Sequence, residues 1–503
     1  MFHKRNFVLA ASCLGLTVAC ASGGGSGAES GSSSGGKGGS SAAGGSNGGG
    51  GGSATSGGSA TSGGSTGSRG DAGMSGGDGK GGSGGVGSGG EVGAGGSGGA
   101  STADAGSAGG ASGGNTMGDA GPAAKCAFSG VTAAPSPKMG TVGIVTWATD
   151  LPGVTEAHID FGLTTAYGMT APVDLKEQMN RTLLLGMKAS KMYHYRITAK
   201  GGSGSCSSDD FTIMTGTPAA GKNVMVTTAD AAKASGAFLL FGNYYGSGAT
   251  IIDKDGDVVW GTSSVGEASG ARMSWDGKYV FVNSDNNGGG KASVHRISMD
   301  GMTDEDLSSK FNGANHMVGP VPGGGALFFN GGCGDIIEWS PDGTTKTIVT
   351  AAKLGLSGCH MNNITYSPMD DTILVSDLSS GTVTKFKHTD GTVLSKISSG
   401  GRQHGIHPAA ADDVLIFNNP STALEFKIDA TGKATKIWSY VSTAKGDVMG
   451  DVQRLPNGNT FVGVSMAGSA VEVDTDGKII KSYKIGQFGF TENRMSLYGP
   501  PIR

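Results

Sequence analysis

His316, His360 and His404 stand 44 and then 44 residues apart, three of the nine histidines in a chain of 503 residues. An imidazole with one unprotonated nitrogen is a good nucleophile near neutral pH. A second imidazole beside it can deliver a proton to a leaving group or take one from an acceptor. Three imidazoles can also ligate a metal ion, although no acidic residue stands at the register of these histidines to complete such a set. Equal spacing puts the three at equivalent positions only if the chain itself repeats every 44 residues or so.

The chain does repeat. From about residue 220 a glycine-containing turn recurs at Asp255-Gly256, Asp300-Gly301, Asp342-Gly343, Asp390-Gly391, Thr431-Gly432 and Asp476-Gly477, with spacings of 45, 42, 48, 41 and 45. Asp-Gly is a favoured two-residue hairpin connection, because both central positions of a type I′ turn need positive φ. Apolar runs flank the turns: Ile251-Ile252 before and Val258-Val259-Trp260 after the first, Ile336-Ile337 before the third, Leu424 to Ile428 before the fifth. A period near 44 with about four strands per cycle reads as β-propeller blades, and six turns imply six blades. Each of the three histidines precedes a blade's turn-and-strand unit, so on adjacent blades they can converge on the central channel. Repeated blades also use histidine in purely structural hydrogen bonds. Against that, the other blades lack it at this register; the corresponding stretch of the sixth is Gly450-Asp451-Val452-Gln453. His388 lies beside a turn, His295 on an outer-strand pattern, and His407 faces either way.

The segments before the repeat are of other kinds. Glycine totals 97, and 45 of these fall among the 105 residues 21–125, which hold no Phe, Trp or Tyr. That tract cannot build a core and has no strict period of three, so it reads as a disordered Gly/Ser-rich tether with an r.m.s. reach of roughly 55 Å. Residues 1–20 read as an export signal: Lys4 and Arg5, an apolar run over 7–18 too short for a stable membrane span, then Leu16-Thr17-Val18-Ala19-Cys20. This ending resembles a bacterial lipoprotein box with Cys20 as the lipidated residue. Ala21 after the cysteine implies sorting to the outer membrane, periplasmic or cell-surface. Cleavage after Ala19-Cys20-Ala21 is the other reading. Export suits disulfides, and Cys126, Cys206, Cys333 and Cys359 remain. Four cysteines allow three pairings, and segregation by domain favours Cys126–Cys206 and Cys333–Cys359. A net charge of −4 with no basic block excludes nucleic acid as a natural partner. Residues 126–217 hold short alternating strands at about ten-residue spacing, the pattern of a β-sandwich. The order Trp147-Ala148-Thr149-Asp150, Asp160-Phe161-Gly162, Tyr193-His194-Tyr195-Arg196 resembles fibronectin type III-like domains, with His158 and His194 as structural residues. The whole reads as all-β: tether, sandwich, then a propeller over 218–503.

Within the propeller, several motifs fall in one order: Cys359-His360-Met361-Asn362-Asn363-Ile364-Thr365-Tyr366, Asp370 to Ser376, Gln403-His404-Gly405, Leu415 to Asn419, Val452 to Thr460 and Glu472-Val473-Asp474. This run resembles bacterial aryl-sulfate sulfotransferases of the six-bladed propeller type, over about residues 220–503, and members of that family also carry an N-terminal β-sandwich. The resemblance implies transfer of a sulfuryl group from an aryl sulfate to a phenol, without a nucleotide donor or other cofactor, through a transiently sulfated histidine. By motif, His404 matches the nucleophile and His360 and His316 the assisting pair, while Asn362 falls in the family's His-x-Asn motif as a substrate-binding residue. The family's arginine, on the strand after the second histidine, is replaced here by Leu378. An arginine fork is the natural binder of sulfate oxygens, so Arg402 and Arg454 are the candidates to compensate. Arg402 is two residues from His404 and, on an extended strand, points the same way. Leu378 also motivates a second reading, a catalytically degenerate surface propeller that binds a ligand or protein.

Overall fold

The computed structural model describes residues 126–202, 204–284, 292–311, 316–330, 334–356 and 360–501. Residues 1–125, on which the expected export signal, Cys20 and the expected tether fall, and Cys333 and Cys359 lie outside the described residues. The described chain is nearly all strand; its α-helix, Ala351–Leu354, is a single turn.

The first domain is a two-sheet sandwich. Phe128–Pro135, Gly143–Thr149 and Thr182–Leu184 form one sheet; Met169–Pro172, Val154–Gly162, Met192–Gly201, Gly204–Ser207 and Phe211–Met214 form the other. Alternation along Met192–Gly201 turns Tyr193, Tyr195, Ile197 and Ala199 inward, and they meet Val145, Trp147, Ile159 and Phe161 in one core. A disulfide joins Cys126 to Cys206, with Cα atoms 6.3 Å apart.

Six further antiparallel sheets form the propeller. Their inner strands are, in ring order, Thr491–Arg494, Gly270–Met273, Gly319–Pro320, Met361–Ser367, Arg402–Pro408 and Asp451–Arg454, here the inner strands of blades 1 to 6. The ring closes through both ends of the domain: Thr491–Arg494 pairs with Phe238–Gly242 in blade 1, and Met225–Thr228 adds a fifth, outermost strand to blade 6. Neighbouring blades share apolar clusters, such as Leu374, Val383 and Ile397 of blade 4 with Ile406, Val414 and Ile416 of blade 5. Burial on both faces explains why these strands read as continuous apolar runs.

The six glycine turns all connect the third and fourth strands of their blades, but their type differs from the sequence expectation. Only the glycine of each pair has positive φ, from 67° at Gly391 to 94° at Gly256. In the first turn Gly256 N–H donates to the Asp253 carbonyl and Asp253 N–H to that of Asp257. The same pair of bonds recurs at Ser340–Gly343–Thr344, Asp429–Gly432–Lys433 and Asp474–Gly477–Lys478. These are longer loops ending in a left-handed glycine bulge, not two-residue type I′ turns. Asp253 explains the preference: its carboxylate accepts from the N–H groups of Asp255 and Asp257, 2.9 and 3.0 Å away.

Sandwich and propeller form one compact unit. Lys188 Nζ reaches Asp253, Asp255 and Asp257 at 3.1, 2.8 and 2.5 Å, and Arg181 pairs with Asp300. Thr141 Oγ1 donates to the Val259 carbonyl at 2.7 Å, and Tyr498 Oη donates to that of Leu183 at 2.9 Å. Burial opposes the Lys188 charge, but the three carboxylates overcome it and raise its pKa. The turns contacted are those between third and fourth strands. They lie at the end of the blades opposite the loops that lead into the inner strands.

Candidate active site: three imidazoles at one end of the channel

The start of each inner strand lies at the end of the blades away from the sandwich contacts, and on blades 3, 4 and 5 a histidine stands at or just before it. The His316 ring lies 5.7 Å from that of His360 and 6.4 Å from that of His404, centroid to centroid. The 44-residue spacing is thus realised as one cluster.

Each histidine is placed differently. His316 has φ of 54°, a conformation uncommon for a residue with a Cβ. Its carbonyl accepts from Asn283 Nδ2 at 2.7 Å and Ser269 Oγ at 3.2 Å, which tie it to blade 2. His360 is exposed, and its carbonyl accepts the Leu378 N–H at 2.9 Å. His404 is 2% exposed. Burial, and next the neighbouring His316, push its pKa down to about 3, so the ring is uncharged at neutral pH. The following residue must be glycine: a Cβ on Gly405 would stand 2.4 Å from Asp451 Oδ1. Close approach of blades 5 and 6 is what sets His404 into the channel wall.

An apolar collar borders the imidazoles. Tyr244, Met317, Met449 and Phe490 form one buried cluster, and the Phe490 ring is 6.3 Å from that of His316. Beneath Gly405 the channel is crossed by an ion pair. Arg272 of blade 2 lies 3.2 Å from Asp451 of blade 6 and also donates to the Thr491 carbonyl of blade 1. Asp451 Oδ2 accepts the Thr491 N–H at 2.9 Å. Burial raises the Asp451 pKa against the opposing pull of Arg272. Sequence reasoning did not single out Arg272 or Asp451. Gly270-Ala271-Arg272-Met273 carries no motif, and only the closed ring brings blades 2 and 6 together.

The expected substrate-binding residues are placed in three different ways. Arg454 is at the other end of its strand, 2.5 Å from Glu425 and with its guanidinium 5.7 Å from the Trp438 ring centre. It borders a separate cavity of about 90 Å³ beyond the ion pair, with Trp275, Tyr366 and His407. Arg402 is exposed while His404 is buried, because the strand is irregular between Gln403 and Ile406 and strict alternation fails there. Asn362 is fully buried and donates to the Gln403 carbonyl at 2.6 Å, bracing the strand that carries His404. Leu378, where the resemblance leads one to expect an arginine, is half-buried. The group of carboxylates among the described residues close enough to hold a cation, Asp253, Asp255 and Asp257, is the one that surrounds Lys188.

The chain matches no protein-family model and no curated protein. Among solved structures it is similar to a nidogen/laminin complex, at 13% identity over 51% of this chain and 98% of that one, with a TM-score of 0.39. It is similar to virginiamycin B lyase from Staphylococcus aureus, at 10% identity over 59% and 92% with a TM-score of 0.35, and to the WD40 β-propeller domain of Doa1, at 9% over 52% and 82% with 0.35. The β-propeller itself is described directly by the six sheets.

Proposed function

We propose that this chain transfers a sulfuryl group from an aryl sulfate to a phenolic acceptor through a covalent sulfo-histidine at His404. The observation that carries this reading is a buried imidazole, His404, clustered with His316 and, through it, His360. In the first half-reaction the unprotonated nitrogen of His404 attacks sulfur and the bond from sulfur to the aryl oxygen breaks. His360 or His316, in its protonated form, gives its proton to the departing phenolate. In the second half-reaction the same imidazole, now neutral, takes the acceptor's proton as the phenol oxygen attacks sulfur. The nitrogen–sulfur bond breaks and its electron pair returns to His404. The apolar collar of Tyr244, Met449 and Phe490 suits an aromatic ring. Turnover of a chromogenic aryl sulfate that depends on a phenol and is lost in His404→Ala supports this reading; no turnover in the wild-type protein overturns it.

Leu378 favours the second reading, a propeller that binds a ligand or protein without chemistry, since a sulfate's three oxygens call for cationic or N–H donors. Transferase activity that His404→Ala removes would contradict it. We also propose that the protein is exported and lipid-anchored at Cys20 in the outer membrane, with residues 21–125 as the tether. Incorporation of a labelled fatty acid into the wild type and not into Cys20→Ser is the expected result.

A further inference from the structure

Left-handed backbone at residues other than glycine is concentrated at one end of the channel. Among the described residues of the propeller, Tyr245, His316, Asp371 and Met449 have positive φ, at 53°, 54°, 50° and 59°. Asp371 sits in a turn, where aspartate takes this conformation readily. The other three stand at the imidazole end. His316 and Met449 lie in the loops that lead into the inner strands of blades 3 and 6. Tyr245 lies in the connection from Phe238–Gly242 to Ala249–Ile252, the second and third strands of blade 1, and in an up-and-down blade that connection is at the same end. Such conformations are costly for a large side chain, and where the surrounding structure enforces them they cluster at ligand and active sites.

The Tyr245 loop is tightly pinned. Asn243 N–H donates to the Gly248 carbonyl at 2.9 Å, and Asn243 Nδ2 to that of Ser247 at 2.8 Å. Gly246 N–H donates back to the Asn243 carbonyl at 3.0 Å, and Asn243 Oδ1 accepts from Thr250 Oγ1 at 3.1 Å. Gly248 has φ of 68°, and a Cβ there would stand 1.8 Å from the Thr262 carbonyl oxygen. A loop this constrained, serving only to join two strands, would place glycine or asparagine at 245. It carries tyrosine instead and leaves it 64% exposed. One exposed apolar residue is ordinary; an exposed aromatic ring fixed in a left-handed conformation is not.

Contacts join Tyr245 to the imidazole cluster. Its ring centre is 4.7 Å from that of Tyr244, which is buried and packs with Met317, Met449 and Phe490. Phe490 in turn lies 6.3 Å from His316, ring to ring. Backbone bonds fix the same path. Gly489 N–H donates to the Gly242 carbonyl at 2.9 Å and Phe490 N–H to that of Ser269 at 2.8 Å, while Ser269 Oγ donates to the His316 carbonyl. The collar therefore continues outward from His316 through Phe490 and Tyr244 to a ring that solvent reaches.

We propose that Tyr245 is a specificity-determining residue: its exposed ring forms the outer part of an aromatic subsite and stacks on a second ring of a ligand whose phenolic end lies at the imidazoles. The site thus selects phenols with a second linked ring over phenol itself. That the ligand is a phenol rests on the transfer reading above; that it is aromatic rests on the rings alone. Two rings attract in offset or edge-on arrangements with centres about 4.5–7 Å apart, and a tyrosine already held in place loses little freedom in making that contact.

The test is equilibrium binding of two probes, 4-hydroxybiphenyl and phenol, to the full chain without a sulfate donor, followed by ligand-observed NMR. The wild type is expected to prefer 4-hydroxybiphenyl. In Tyr245→Gly that probe is expected to bind about 2- to 10-fold more weakly, the worth of one aromatic contact, with phenol unchanged. Tyr245→Trp, which keeps a ring, retains the preference. Glycine takes φ of 53° without strain, so the Tm of Tyr245→Gly should not fall. Equal weakening of both probes, with or without a lower Tm, overturns the proposal. So does a preference unchanged in Tyr245→Gly, or a wild type that does not bind 4-hydroxybiphenyl. Should aryl-sulfate turnover be absent while the preference depends on Tyr245, the transfer reading fails and the subsite stands; turnover with a preference untouched by Tyr245→Gly has the opposite meaning.

Discussion

His404 is the residue on which the proposed chemistry turns, and its environment makes specific demands. Burial, with His316 second, pushes its pKa down to about 3, so as the proposed nucleophile it needs no deprotonation near neutral pH. The rate of sulfation of the enzyme, measured by stopped flow, should therefore show no loss assignable to His404 between pH 8 and about pH 4. The same shift carries a stability cost on acidification. Between the unfolded value of 6.5 and the folded value of about 3, the unfolded chain takes up a proton that the folded chain refuses, so stability falls as pH falls through that window. His404→Gln should reduce the loss of stability between pH 7 and pH 5 in denaturant titrations, and should lower transfer by at least about a thousand-fold, as removal of a nucleophile does. At this scale the sequence was readable where a residue type and a period coincided, as at His316, His360 and His404. It was not readable where a side chain's surroundings depend on its partner: Arg454 is paired with Glu425, and the Asn362 NH₂ donates to the Gln403 carbonyl.

Among the elements, the inner strand of blade 5 bears the tightest constraint. Gly405→Ala would drive a methyl group into Asp451 and should lower stability by about 1–3 kcal/mol, the usual cost of overpacking, with a matching fall in Tm. The seam between blades 3 and 4 holds a different device. His388 bridges Glu338 and Asp371, 2.9 Å from each. The bond to Glu338 is the main cause of its raised pKa; burial works against it. Its contribution to stability is complete below the unfolded pKa and disappears as pH rises through the folded one. His388→Gln should therefore destabilise at pH 6 more than at pH 9 in thermal melts. The six turns show what the sequence could convey about elements. Their spacing announced the blades correctly, while the turn type was misjudged because Asp-Gly suits both a two-residue turn and a longer loop closed by a glycine bulge. Only the flanking hydrogen bonds, such as those of Asp253, distinguish the two.

At the scale of the molecule, composition separated a glycine-rich tract from the rest of the chain, and the fold class followed from the period. Composition could not show which end of the propeller the sandwich occupies, since that depends on Lys188 meeting three carboxylates that belong to a turn about 70 residues away. Replacing that lysine leaves the carboxylates facing one another; Lys188→Met should split a single calorimetric transition into two without altering the imidazole cluster at the opposite end. The central claim is that His404 carries the sulfuryl group, and one measurement tests it most directly. The full chain is incubated with a chromogenic aryl sulfate without acceptor, quenched in alkali, digested and examined by mass spectrometry. The result expected is one equivalent of phenol released in a burst and the mass of SO₃ on the peptide containing His404, discharged when phenol is added. Turnover with no modified peptide, or modification of a peptide lacking His404, would contradict it.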